Sequence, residues 1–257
     1  MSLVTIVIES RVATITMDSP ENLNALSDQL KTELTEALTS VADNSEVKVV
    51  VLTGSGRAFS AGGDISNMGR VNEPYQRRER MVKGINPLVN QIWNMEKPVI
   101  AAVNGYAVGV GCILAVACDL VVTVPQAKFG VPFNKIGLVP DGGGTYLLPK
   151  LIGALRAKEM VLLRRMLSAE EALGWGLVNK IVLADQLAAE VKSMAEELAA
   201  GPTVAMGLSK VLINRAQEDT LMAALEREAG FQGLCVATDD HEEGVEAFFE
   251  KRPAKFK

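Results

Sequence analysis

Short apolar runs broken by Gly, Asn, Pro and Ser fill the early part of the chain, and apolar residues at helical spacing dominate from Ala154 onward. Runs of the first kind predict strands, and spacing of the second kind predicts helices. Val4–Ile8 and Val12–Met17 read as a hairpin around Ser10-Arg11. Asp18–Leu26 is rich in turn formers, and Ser27 is placed to cap a helix from about Asp28 to Val41. Leu30, Leu34, Ala37, Leu38 and Val41 form the apolar stripe of that helix. Val47–Thr53 predicts a buried strand ended by Gly54-Ser-Gly56, Ile65–Tyr75 a loop, and Arg77–Met95 a helix. The most apolar stretch, Val99–Val124, has the length of a membrane span. Asn104-Gly105, Gly109, Gly111 and Asp119 break it up, so it parses as strand (Val99–Val103), glycine turn, buried helix (about Val110–Ala117) and strand (Leu120–Val124). Both strands are apolar at nearly every position, which predicts a sheet covered on both faces.

Further on, Lys128–Phe133 predicts a short strand and Lys135–Pro149 a loop running into a helix. Ser168-Ala-Glu-Glu171 is a capping box opening a short helix that ends near Gly174-Trp-Gly176, and Val178–Val182 is a last strand. Ala184–Ala199, Pro202–Asn214, Thr220–Ala237 and Asp239–Phe249 are amphipathic helices. The change from strand–helix alternation to continuous helix divides the chain into residues 1–200 and a helical region, 201–257.

Composition narrows the function classes. The chain has 257 residues, 48% hydrophobic and 22% charged, which suits a soluble domain with a sizeable core. A net charge of −5 argues against nucleic acid as partner. Cys112, Cys118 and Cys235 have no metal spacing, and an odd, sparse count fits a reducing, cytoplasmic compartment. With His241 as its single histidine, the chain has little from which to build a histidine triad or zinc site. No signal or transit segment precedes the first predicted strand.

Four segments carry candidate chemistry. The helix opening at Gly109-Val-Gly111 begins among glycines, so its first N–H groups have no intrahelical partner and no side chain shielding them. They can donate to an anion or a polarised carbonyl. Arg57–Asp64, with Gly62-Gly63, is either a plain glycine turn or a tight backbone aiming N–H groups into a cavity. Asp141, just before Gly142-Gly-Gly144, is either an N-cap or a catalytic carboxylate on a sharp turn. Arg77, Arg78, Arg80 and Lys83 form either a solvated face or a rim for ligand phosphates. Gly109-Val-Gly111 fails the dinucleotide fingerprint at Leu114, and neither a Walker A motif nor a G-x-S-x-G elbow is present.

Together these residues resemble the crotonase (enoyl-CoA hydratase/isomerase) superfamily. The resemblance rests on Asn22–Leu26, Phe59–Asp64, Lys97–Gly105, Gly109–Cys112, Ala117–Asp119, Phe129-Gly130, Gly137–Pro140, Gly142–Thr145, Ala169–Ala172 and Gly176–Val178, in that order. It implies an α/β fold, a repeated ββα spiral followed by a helical trimerisation region. It also implies a homotrimer or a dimer of trimers that binds an acyl-CoA thioester, with no membrane partner and no cofactor beyond the coenzyme A of the substrate. Carried over by position, the backbone N–H groups of Ala61 and Val110 form an oxyanion hole. Asn24, Ala25, Leu26, Gly62, Gly63, Asp64, Ile65, Gly109, Gly111, Phe133 and Leu138 are expected around the substrate, with Lys251 and Arg252 as candidate contacts to CoA phosphates.

The two glutamates with which hydratases of this family activate water would fall at Ile113 and Phe133, and both are absent. Asp141 stands where isomerase-type members carry an acid, and Lys135–Asp141 is similar to isomerases of the phenylacetate-degradation branch. The resemblance therefore implies a Δ3,Δ2-enoyl-CoA isomerase with Asp141 as proton shuttle. Its pocket, lined by Phe133, Ile113 and Leu138, would raise the carboxyl pKa. An enoyl-CoA hydratase and a non-catalytic acyl-CoA-binding protein are the alternatives.

Overall fold

The computed structural model describes residues 2–64 and 73–257. A hairpin opens the chain: β1 (Val4–Glu9) and β2 (Val12–Met17) pair antiparallel, with Ser10 and Arg11 both left-handed in the two-residue turn. A helix, α1 (Asp28–Asp43), follows, with the Ser27 hydroxyl accepting from Leu30 N–H as its N-cap. Its buried side chains are Leu30, Leu34, Ala37, Leu38 and Val41, the stripe set by their spacing.

Three successive units then each add one strand to each of two sheets. They are β3 (Val49–Gly54) with β4 (Ala58–Ser60), β5 (Val99–Val103) with β6 (Tyr106–Val108), and β7 (Leu120–Thr123) with β8 (Lys128–Gly130). Between the first two units lie α2 (Pro74–Arg80), a π turn (Met81–Ile85) and α3 (Asn86–Asn94). Within the second and third, α4 (Val110–Ala117) precedes β7 and α5 (Gly144–Leu162) follows β8. The large sheet runs β1-β2-β3-β5-β7-β10, parallel from β2 onward, and the small one runs β4-β6-β8-β9. β9 is Met166–Ser168, antiparallel to β8, and β10 is Lys180–Ile181. All five residues of β5 are buried, as are all eight of α4. This explains why Val99–Val124 is so apolar: both its strand and its helix lie inside the protein.

Between β9 and β10 lies α6 (Ala169–Trp175), whose Ser168–Glu171 capping box forms in full and which ends on left-handed Gly176. The helical end comprises α7 (Leu187–Ala199), α8 (Thr203–Ala216), α9 (Leu221–Val236) and α10 (Asp239–Glu250).

Several sequence expectations need correction. β4, β6 and β9 are three-residue strands whose length lies below any detectable alternation; β4 and β6 stand where glycine turns were expected, and β9 in a stretch expected to be mostly helical. Residues 128–133 are not one strand: β8 stops at Gly130, and Phe133–Ile136 forms a 3-10 turn. Pro74 and Tyr75 are helical rather than loop, because Pro74 opens α2 at a position that requires no N–H donor. The expected helix 77–95 is interrupted by the π turn, after which Pro87 sits in the first turn of α3.

Lys210 of α8 ties the helical end to the sheets. Its buried ammonium lies 2.8 Å from Asp119 and donates to the carbonyls of Ile92 and Lys97. Asp119 in turn accepts from Val99 N–H at the start of β5. Burial pushes the Asp119 carboxyl above its usual range, a rise only partly offset by Lys210. Removing the cation would leave the acid buried without its counter-charge. Lys210→Met is therefore expected to cost about 3 kcal/mol of folding stability, read as a lower midpoint in urea or thermal denaturation. A midpoint equal to that of the parent would count against this anchor.

Candidate active site

Asn24 organises the backbone on one side of the site. It is fully buried and left-handed, its side-chain oxygen accepts from Ser19 N–H, and its amide donates to the carbonyls of Ser55 and Ala58. Its carbonyl accepts from the Ser60 hydroxyl. Asn24 thus binds the protein rather than a ligand, and it fixes the segment 58–63. Ala25 N–H donates to Asn22 O, and Leu26 N–H donates to Gly62 O in a bridge between Leu26 and Gly63.

That segment lies against the start of α4 with no space between the chains. A Cβ on Gly62, whose φ is +94°, would come within 2.6 Å of Val108 O, and one on Gly111 within 2.5 Å of Ser60 O. Gly62 and Gly111 are glycines because two backbones touch there, so their part in the site is to seat it. Gly109 precedes α4 at φ +57°, with the Phe133 ring 3.8 Å from where its Cβ would be.

The structure corrects one of the two expected N–H donors. Ala61 N–H donates to Leu23 O at 2.9 Å and has no further donor capacity. Two residues on, Gly63 N–H has no hydrogen bond among the described residues. Val110, first residue of α4, has an N–H with no intrahelical acceptor. Gly63 and Val110 line one cavity of about 80 Å³ with Leu26, Asp64 and Asp141.

Asp141 is not the N-cap of α5. Left-handed Gly143 holds that position, and Asp141 contributes its carbonyl, which accepts from Gly144 N–H. The carboxylate is left facing the cavity with Oδ1 buried and without a hydrogen-bond partner among the described residues. Burial raises its pKa, while the charges of Arg77 and, less strongly, Lys31 act to lower it.

The cavity wall differs from the apolar one expected. Phe133, Leu138 and Ile113 do not line it. Ile113 packs beneath the following turn, its Cδ1 2.9 Å from where a Cβ of Gly144 would be, and Leu138 N–H donates to Phe133 O. The wall instead comes from α1 (Asp28, Lys31) and from Arg77, Arg80, Met81 and Ile85. The sequence marked Arg77 and Arg80 as a basic face, and Arg77, Met81 and Ile85 recur every four residues. Nothing in the sequence marked Lys31. Ile65 lies outside the described residues. Lys251 closes α10 in a left-handed conformation, and Arg252 is engaged by Glu243 and Glu250. That pairing leaves the Arg252 guanidinium committed within its own terminus.

Two free N–H groups and one desolvated carboxylate on a shared cavity are the parts needed to move a proton beside a carbonyl and hold the resulting oxyanion. A family model described as Enoyl-CoA hydratase/isomerase matches residues 7–257. The chain belongs to that family. It is 39% identical to the 1,2-epoxyphenylacetyl-CoA isomerase of Escherichia coli (strain K12), over 97% of this chain and 96% of that one. It is also 39% identical to the crotonyl-CoA hydratase of Syntrophomonas wolfei, over 96% and 95%. Among solved structures, an enoyl-CoA hydratase from Bacillus anthracis superposes with a TM-score of 0.94 at 33% identity, covering 99% of each chain. Members of the enoyl-CoA hydratase/isomerase family thus share this fold, and relatives at equal identity carry both reaction names.

The carboxyl carbon of Asp141, followed by 13C NMR, is expected to titrate with a midpoint above an ordinary aspartate's 3.8. Arg77→Gln removes the charge that favours the ionised form, so it is expected to move the midpoint further up, and Lys31→Gln to move it up by less. A downward shift in Arg77→Gln would contradict the geometry.

Proposed function

We propose that this chain is a Δ3,Δ2-enoyl-CoA isomerase. The observation that carries the reading is Asp141, which lines the cavity and whose Oδ1 is buried without a hydrogen-bond partner among the described residues. The thioester oxygen of a 3-enoyl-CoA sits on the N–H groups of Gly63 and Val110. The Asp141 carboxylate takes a proton from C2, and the electron pair spreads over the dienolate, its oxygen held by the two donors. The protonated Asp141 then returns the proton at C4, so C2 loses and C4 gains one proton and the mass is unchanged. A carboxyl held above its usual pKa is better matched to this shuttle than an exposed one. Positions 113 and 133, Ile and Phe, supply no carboxylate for a second water-activating group.

A hydratase reading is favoured by one feature: Asp64 shares the cavity with Asp141, giving two acids beside the same N–H pair. The two readings separate when the protein is given a 3-enoyl-CoA and a 2-enoyl-CoA in turn. Isomerisation predicts conversion of the first at constant mass and little water gained by the second. Rapid gain of one water by the second would overturn the isomerase reading. Asp141→Asn is expected to lower kcat by about 10²–10⁴ while thioester binding persists. A non-catalytic binder would turn over neither substrate before or after the change.

The family resemblance also supports assembly as a homotrimer or a dimer of trimers. The helical end exposes Leu221, Met222, Phe248 and Phe249, each at least 74% exposed, an apolar set of the kind that subunit contacts cover. Sedimentation equilibrium is expected to give three or six chains per particle. A monomer at micromolar concentration would contradict it.

A further inference from the structure

The large sheet has an open edge at β1. Among the described residues, that strand pairs with β2 on one side and with nothing on the other. Five of its six residues are exposed, and three of these are apolar: Ile6 at 40%, Val7 at 53% and Ile8 at 47%. Edge strands are commonly blunted by lysine, proline or a bulge. β1 contains neither residue, and its ladder with β2 runs from Val4 to Glu9 without a bulge. Its one charge, Glu9, stands at the end next to the turn.

The phase of the hairpin fixes which backbone groups face outward. Asp18 N–H donates to Leu3 O, so those two residues form a hydrogen-bonded pair. Thr5, Val7 and Glu9 follow in the same phase, opposite Thr16, Thr14 and Val12. The N–H and C=O groups of Ile6 and Ile8 therefore point away from β2, and they have no hydrogen bond among the described residues. Val4, next in the outward phase, is already occupied: its N–H donates to Glu33 at 3.2 Å and its carbonyl accepts from the Ser2 hydroxyl at 2.8 Å. At the other end, Ser10 is left-handed and belongs to the turn. The outward row is thus Ile6 and Ile8, centred on Val7.

Such a row is complementary to itself. With a second copy turned about a two-fold axis at Val7, Ile6 of each chain lies opposite Ile8 of the other, and every outward group is paired. An axis at Ile6 would set Ile8 against the occupied Val4, and an axis at Ile8 would set Ile6 against the turn. A longer foreign strand would leave its own groups unpaired opposite Val4 and Ser10, whereas a second copy brings none to spare. The Val7 register also sets the Thr5 hydroxyl against the Glu9 carboxylate, so no like charges meet. We infer that β1 is a docking edge for a second copy of this chain, paired antiparallel about Val7 so that the two six-stranded sheets join into one. The cavity beside Val7 is lined by strands of this sheet and by α7, so the contact is separate from the exposed apolar set on α9 and α10.

Val7→Cys tests the register, in full-length protein that also carries Cys235→Ser; Cys112 and Cys118 are buried. Residues facing each other in a non-hydrogen-bonded pair lie about 4.5 Å apart, within disulfide range. Mild oxidation with diamide is expected to link most chains in pairs on a non-reducing gel. Thr5→Cys in the same background is expected to stay unlinked, since the two copies of that position lie about 13 Å apart along the strands. Val7→Cys left unlinked, or Thr5→Cys linked as fully, would overturn the inference.

Ile8→Pro removes an outward N–H that the β1–β2 ladder does not use, a place where an edge strand tolerates proline. With circular dichroism confirming the fold, sedimentation equilibrium is expected to give half as many chains per particle as in the parent. That ratio is two whether the helical end joins three chains or none. An unchanged mass would overturn the inference, and a parent particle of three chains would overturn it while leaving the trimer reading intact. The cysteine variants decide the matter even where the proline variant loses its fold.

Discussion

The site depends on a contact between two stretches of backbone. The segment after β4 and the start of α4 approach until no Cβ fits at Gly62 or Gly111. This contact brings the N–H groups of Gly63 and Val110, far apart in sequence, to one cavity. Neither stretch could hold the arrangement alone. α4 is a short helix inside the core, fixed by burial of every residue it contains. The glycine segment is fixed by Asn24, whose side chain and carbonyl spend all their hydrogen bonds on Ser19, Ser55, Ala58 and Ser60. Preorganised donors are worth most when they need no rearrangement as charge develops, and a backbone held in this way has little freedom to rearrange.

Asp141 sits at the balance of two opposing electrostatic effects. Burial favours its neutral form, and the Arg77 charge, a backbone hydrogen bond and the Lys31 charge favour its ionised form. The proton shuttle proposed for Asp141 needs both forms within reach, and the cavity wall mixes Met81 and Ile85 with Arg77 and Lys31. Asp119 presents the contrasting case. It too is pushed up by burial, but Lys210 and Val99 N–H occupy it, and it works as a bolt between α8 and the sheet. The same residue type does different work because one carboxylate is saturated with partners and the other is not.

Much of this protein was legible in its sequence. The α1 stripe, the Ser27 and Ser168 caps, the hairpin at Ser10-Arg11 and the strand–turn–helix–strand parse of Val99–Val124 follow from local spacing and local sterics. The ordered set of motifs was specific enough to indicate the family. Strands of three residues were not legible, because alternation cannot register over so short a length. The π turn at Met81–Ile85 was likewise invisible, since a helix that slips by one residue keeps nearly the same apolar face.

By itself, the sequence determined that the chain holds a glycine-rich loop, a glycine-led buried helix and an aspartate before three glycines, and its family resemblance made them the candidates for the chemistry. Only the tertiary structure decided which atoms of those segments are available. Ala61 lost its place to Gly63 because Leu23, from a distant turn, takes the Ala61 N–H. Asp141 became a free carboxylate because Gly143 adopts the left-handed conformation and holds the cap position itself. The apolar pocket became a cation-bearing one because α1 and α2 fold over the site while Phe133 and Leu138 stay outside it. In each case availability is a matter of which long-range partner has already satisfied a polar group, and local sequence cannot encode a partner that only folding brings near.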